Sequence, residues 1–103
     1  MNKKNLTIEE TFILAVQNHQ KSNLKFAEKL YNEILKEIPN HTAAQNNLGI
    51  LHNQWGNNQK AVRCYEKVIQ INPNHVDAYN NLGIIHKKSA INQIADICYE
   101  EVF

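Results

Sequence analysis

The stretch from Thr42 to His75 is partly written again on either side of itself, and a chain built that way folds as stacked copies of one small unit. Gly49 recurs as Gly83, Cys64 as Cys98, Tyr65 as Tyr99 and Asn47 as Asn81, each at an offset of 34 residues. Upstream, the same offset carries Pro73 onto Pro39, Tyr65 onto Tyr31 and Ala61 onto Ala27. That is the period of a helix hairpin, which cannot bury its apolar side alone but can when neighbours stack on it. The copies run over about residues 8–41, 42–75 and 76–103, the third one incomplete, within a single domain of residues 1–103.

Local signals place the helices. Thr7 with Glu10 has the spacing of a capping box, so a first helix is expected to begin near Thr7 and end in the polar run HQKSN. Phe12, Leu14, Ala15 and Asn18 mark its inner face. A second helix is expected from Leu24 to about Glu37, with Phe26, Ala27, Leu30, Tyr31, Ile34 and Leu35 as a broad apolar stripe. Pro39 stops it, because its ring cannot continue the helical hydrogen bonding. Thr42 with Gln45 predicts a second capping box and a third helix to about Trp55. Gly56 makes the next turn, and a fourth helix follows from about Gln59 to Ile71, ended by Pro73. A fifth helix is expected from Val76 to about Ser89 and a sixth from near Asn92, cut off at Phe103. The resulting fold class is all-α: about six helices in antiparallel hairpins, the last truncated. Gly49 is expected against Ala61, and Gly83 against Ala95, where the absence of bulk lets paired helices approach.

Composition narrows the function. Eleven basic against ten acidic residues give no field strong enough to hold a nucleic acid or an anionic membrane. The N-terminus lacks the apolar run of a secretory signal or membrane span, so a cytoplasmic location is the expectation. Cys64 and Cys98 sit at equivalent repeat positions, which suits a duplicated packing residue better than a disulfide. His52 with His86, and His41 with His75, are one repeat apart and lack further ligands at suitable spacing, so no metal or other cofactor is expected. No catalytic residue is expected either, because both cysteines fall on core faces where a thiolate is disfavoured.

The middle copy resembles the tetratricopeptide repeat through Leu48, Gly49, Gly56, Ala61, Tyr65 and Pro73, and the third through Tyr79, Leu82, Gly83, Ala95 and Tyr99. The first keeps Leu14, Ala15, Ala27, Tyr31 and Pro39. Departures are Gln45 for the first aromatic, His52 and His86 for the second, and Ala90 for the turn glycine. The resemblance implies a right-handed superhelical scaffold whose concave face binds proteins or extended peptides. The chain is also similar to the repeat arrays of O-GlcNAc transferase-like glycosyltransferases and bacterial sulfotransferases. On that similarity, and because the third copy stops at Phe103, an alternative expectation is the targeting segment of a larger enzyme.

Helical geometry picks out the face opposite Leu48, Gly49 and His52. On the first, third and fifth helices it carries Val16, then Asn47, Ile50 and Gln54, then Asn81, Ile84 and Lys88. An apolar line edged by amides suits an extended peptide, since each amide both donates and accepts. In arrays resembling O-GlcNAc transferase, asparagines matching Asn47 and Asn81 form a ladder along the groove. The other reading is of solvated amides in an asparagine-rich chain. Phe12, Val16 and Asp77 occupy the positions of a carboxylate clamp, so the resemblance to that class fails. Lys88 is the only base on this face, which argues against RNA. Self-association is expected through the incomplete last copy, where Ile94, Ile97, Val102 and Phe103 would lack a polar cap.

Overall fold

In the computed structural model, the backbone is described for residues 5–102 and the side chains for residues 5–94. Five helices follow one another: α1 (Ile8–Gln20), α2 (Leu24–Glu37), α3 (Thr42–Gln54), α4 (Asn58–Ile71) and α5 (Val76–Val102). Each packs on the next, and the array extends over 65 × 29 × 18 Å. The described residues contain no strand, so the all-α expectation holds.

At the start of α1, the Thr7 N–H donates to Glu10 Oε1 at 3.0 Å and the Glu10 N–H donates to Thr7 Oγ1 at 3.1 Å, completing the anticipated capping box. The second box, Thr42 with Gln45, does not form. The cap of α3 is His41, whose Nδ1 accepts the Ala44 N–H at 3.0 Å, while Gln45 is buried. His75 does the same for the Ala78 N–H at 3.1 Å. This histidine pair therefore closes helix ends, with the ring nitrogen doing what a hydroxyl usually does.

The turns explain the largest departure from expectation. Ser22 (φ 67°) and Gly56 (φ 84°) occupy one repeat position in the left-handed region. In both turns the next residue is an asparagine whose N–H reaches back at 2.8 Å, from Asn23 to the Asn18 carbonyl and from Asn57 to the His52 carbonyl. The third copy has Ala90 and Ile91 there. Alanine is the strongest helix former and pays a steric cost in the left-handed region, so the chain keeps its helical course. The expected fifth and sixth helices are thus one continuous α5 of 27 residues, about 40 Å long.

Two apolar clusters lie along the array. Ala15, Ala27, Leu30, Tyr31, Ile34, Ala44, Leu48, Leu51 and Cys64 form the first; Ala61, Tyr65, Val68, Ala78 and Ile85 form the second. Phe26, placed by periodicity in the α2 stripe, is 43% exposed instead. Gly49 is buried, but its close neighbour is not Ala61: a Cβ there would meet the Tyr65 ring at 2.6 Å. A Cβ at Gly83 would meet nothing within 4 Å among the described residues, and its expected partner Ala95 lies outside the described side chains. The α3 residues Gln45, Asn46, Gly49 and His52 are buried, whereas their α5 counterparts Tyr79, Asn80, Gly83 and His86 are exposed. His86, expected to pack, does not, because the hairpin that would cover it has not folded back.

The two repeat glycines should therefore respond oppositely to a methyl group. Gly49→Ala is expected to destabilise by about 1–3 kcal/mol, since the buried Tyr65 ring must shift. Gly83→Ala should stabilise by up to about 1 kcal/mol through helix propensity. Urea unfolding of both variants checks the contrast.

Candidate peptide-binding groove

Three helices meet at an open groove of about 550 Å³ lined by Val16, His19 and Gln20 of α1, Leu24 and Tyr31 of α2, and Asn47 and Gln54 of α3. The sequence-derived set is thereby divided. Val16, Asn47 and Gln54 come together, with Val16 and Asn47 half-buried and Gln54 exposed. Ile50 turns out half-buried and packed on the second apolar cluster, so little of it faces the groove side. Asn81 is half-buried and Ile84 and Lys88 are exposed on α5, but none of the three lines this groove.

Among the lining residues outside the sequence-derived set are His19 and Tyr31. His19 lies in the run taken only as the polar end of α1, and Tyr31 counted only as core. The Tyr31 ring is fully buried, yet its hydroxyl reaches the groove and lies 3.0 Å from His19 Nδ1. The other ring nitrogen, His19 Nε2, donates to Gln54 Oε1 at 2.8 Å. His19 stands edge-on to Tyr31, with ring centres 5.8 Å apart. Burial pushes the Tyr31 hydroxyl above its ordinary value, and the Asn47 side chain acts in the opposite direction by hydrogen bonding. One histidine therefore ties all three helices together at the groove wall.

The groups that would suggest other chemistry are held in inert settings. Cys64 is buried, and burial pushes its thiol up, against a hydrogen bond from Gln45 and the charges of Arg63 and Lys67. A protonated buried thiol is a packing group rather than a nucleophile. Among the described residues no cluster of three His, Cys, Asp or Glu could hold a metal ion, and no helix is long and apolar enough to cross a membrane.

His52 is buried beside Trp55 with its Nε2 3.6 Å from a Glu28 carboxylate oxygen and its Nδ1 without a partner. Burial lowers its pKa from the ordinary 6.5, Glu28 opposes and Lys60 reinforces.

In solved structures the same architecture recurs. Residues 42–75 match a family model described as Tetratricopeptide repeat, and a second model of that description matches residues 64–98. No curated protein matches the chain. A crystal structure of MamA aligns with a TM-score of 0.78 at 23% identity, covering 84% of this chain and 51% of that one. A crystal structure of MamA protein aligns with a TM-score of 0.77 at 22% identity, covering 91% of this chain and 51% of that one. At these identities the likeness is one of fold, and the chain spans about half the length of the structures it matches.

His52 also yields a pH dependence. The unfolded chain takes up its proton before the folded one, so the His52 contribution is complete above about pH 6.5 and is lost as the pH falls toward the lower folded value. Stability by urea unfolding should therefore drop as the pH falls below about 6.5. His52→Phe, which cannot titrate, should make that drop smaller.

Proposed function

The chain belongs to the tetratricopeptide-repeat family, whose repeats it carries over residues 42–98, and on that premise we propose that it is an interaction scaffold holding an extended segment of a partner protein. The observation that carries this reading is the convergence of Val16, Asn47 and Gln54 on one open groove. Val16 offers an apolar seat, and the two amides offer hydrogen bonds to a peptide backbone. Asn81, Ile84 and Lys88 stand one repeat on from Asn47, Ile50 and Gln54 and would extend the contact with a longer segment. The work proposed is binding without catalysis, the partner a protein or peptide rather than RNA or a lipid surface, and the setting the cytoplasm. Alternatively, the same groove would serve as the targeting segment of a larger glycosyltransferase or sulfotransferase, which the reading frame beyond residue 103 would decide.

A second proposal is self-association through α5. Tyr79, Gly83, His86 and Ile94 are exposed on a helix whose counterpart α3 is covered at the corresponding first three positions, and Ile94 is 61% exposed. Of the other residues expected to take part, Ile97, Val102 and Phe103 lie outside the described side chains.

Two measurements separate the proposals. Selection from random heptapeptides displayed on phage should yield binders whose affinity falls roughly tenfold in the Asn47→Ala/Asn81→Ala double variant, two lost hydrogen bonds of about 0.5–1.5 kcal/mol each. Equal binding by that variant removes the amide contacts from the reading. Light scattering at high concentration should show dimers that Gly83→Trp abolishes if α5 faces pair; a monomer throughout removes the second proposal.

A further inference from the structure

The open flank of α5 has a covered counterpart in the second hairpin. There the α3 residues Gln45, Gly49 and His52 are buried, and the Tyr65 ring of α4 lies against Gly49. One repeat on, Tyr79, Gly83 and His86 are exposed, and the notch at Gly83 is empty among the described residues. Beside it is a cleft of about 290 Å³ between α4 and α5, whose lining includes Val62, Arg63, Ile85 and His86. A mid-helix glycine costs about 1 kcal/mol against alanine, which burial of a ring on it offsets. The residues with which α4 provides its buried face, Ala61, Tyr65 and Val68, are written again 34 residues on as Ala95, Tyr99 and Val102. Those positions belong to the far half of α5, carried about 24 Å along the axis from Gly83 because the helix does not reverse at residue 90.

We infer that residues 92–102 of one copy cover the open flank of α5 in a second copy, in the place of the expected sixth helix, and that the assembly grows head to tail. The inference rests on the self-association reading above and deepens it. Complementary charge supports this occupant: residues 92–102 hold Asp96, Glu100 and Glu101 with no base, whereas residues 76–89 hold Lys87 and Lys88 against Asp77. Antiparallel pairing that sets position 99 on Gly83 of the second copy, as Tyr65 is set on Gly49, brings Asp96 level with its His86 and next to its Lys87. Growth beyond a pair follows from helical geometry. Gly83 and Tyr99 are sixteen residues apart, and at about 100° per residue their positions stand about 160° apart around a continuous α5. The accepting face and the donated segment therefore look in nearly opposite directions, and two straight antiparallel helices cannot serve each other at both places. Each copy donates to one neighbour and accepts from another, a heterologous contact that builds a ring or a filament rather than a closed pair.

The test uses the whole chain. Sedimentation velocity at rising concentration should show a mass that passes through the dimer and keeps growing. A mass that stops at the dimer overturns the inference while leaving self-association through α5 intact, and a monomer throughout overturns both. Gly83→Trp blocks only the accepting face and Tyr99→Lys only the donated segment. Each variant alone should therefore be monomeric, and an equimolar mixture should form a one-to-one complex. Undiminished assembly of Tyr99→Lys alone overturns the inference, because α5 faces then pair without the donated segment; a mixture that stays monomeric overturns it as well. The double variant Ala90→Gly/Ile91→Asn rewrites the third turn to match Gly56 and Asn57. Its residues 92–102 should fold back on their own α5 and leave a monomer, and growth of this variant equal to that of the native chain overturns the exchange.

Discussion

The nesting of the Tyr65 ring against Gly49 is the contact on which the second hairpin depends. An aromatic ring can lie flat on a neighbouring helix only where that helix has no side chain, and the glycine supplies the gap at a propensity cost of about 1 kcal/mol. Burial of the Tyr65 ring holds α4 against α3 and pushes its hydroxyl up to about 12. Tyr31 in the first hairpin is buried in the same way, but there the glycine position is Ala15 and the hydroxyl is turned to use at the groove wall. The same aromatic position therefore packs in one copy and also helps to build the candidate site in another.

A single backbone position decides whether a copy becomes a hairpin. Ser22 and Gly56 take the left-handed conformation with an asparagine behind them, and the helix reverses. Ala90 and Ile91 have neither the conformational freedom nor the polar follow-up, so α5 runs on and its flank stays open. Exposure of Gly83 and His86 is thus a consequence of residue 90 rather than of their own chemistry.

Much of the fold was legible in the sequence, because helix ends are local events. The limits Leu24 and Glu37 of α2 follow from an apolar stripe and a proline, and the start of α1 from two residues three apart. At residue 90 the repeat period and the residue disagree, and the helical preference of alanine is the stronger of the two signals. The site was less legible. Helical angle puts Asn47, Ile50 and Gln54 on one face of α3, and Asn47 and Gln54 line the groove, but the angle alone does not show that Ile50 is partly covered by the second cluster. The link from His19 to Gln54 spans 35 residues and three helices. It depends on how neighbouring helices rotate about their axes, which no single helix's periodicity contains.

Because each helix leans mainly on the one before and the one after, the array has no central keystone. Contacts close in sequence form early and cheaply, which favours rapid zipping from any hairpin that nucleates first. The same locality lets one hairpin come apart while its neighbour stays shut. A partner lying across α1, α2 and α3 would suppress such partial opening, so that occupancy itself would act as a splint.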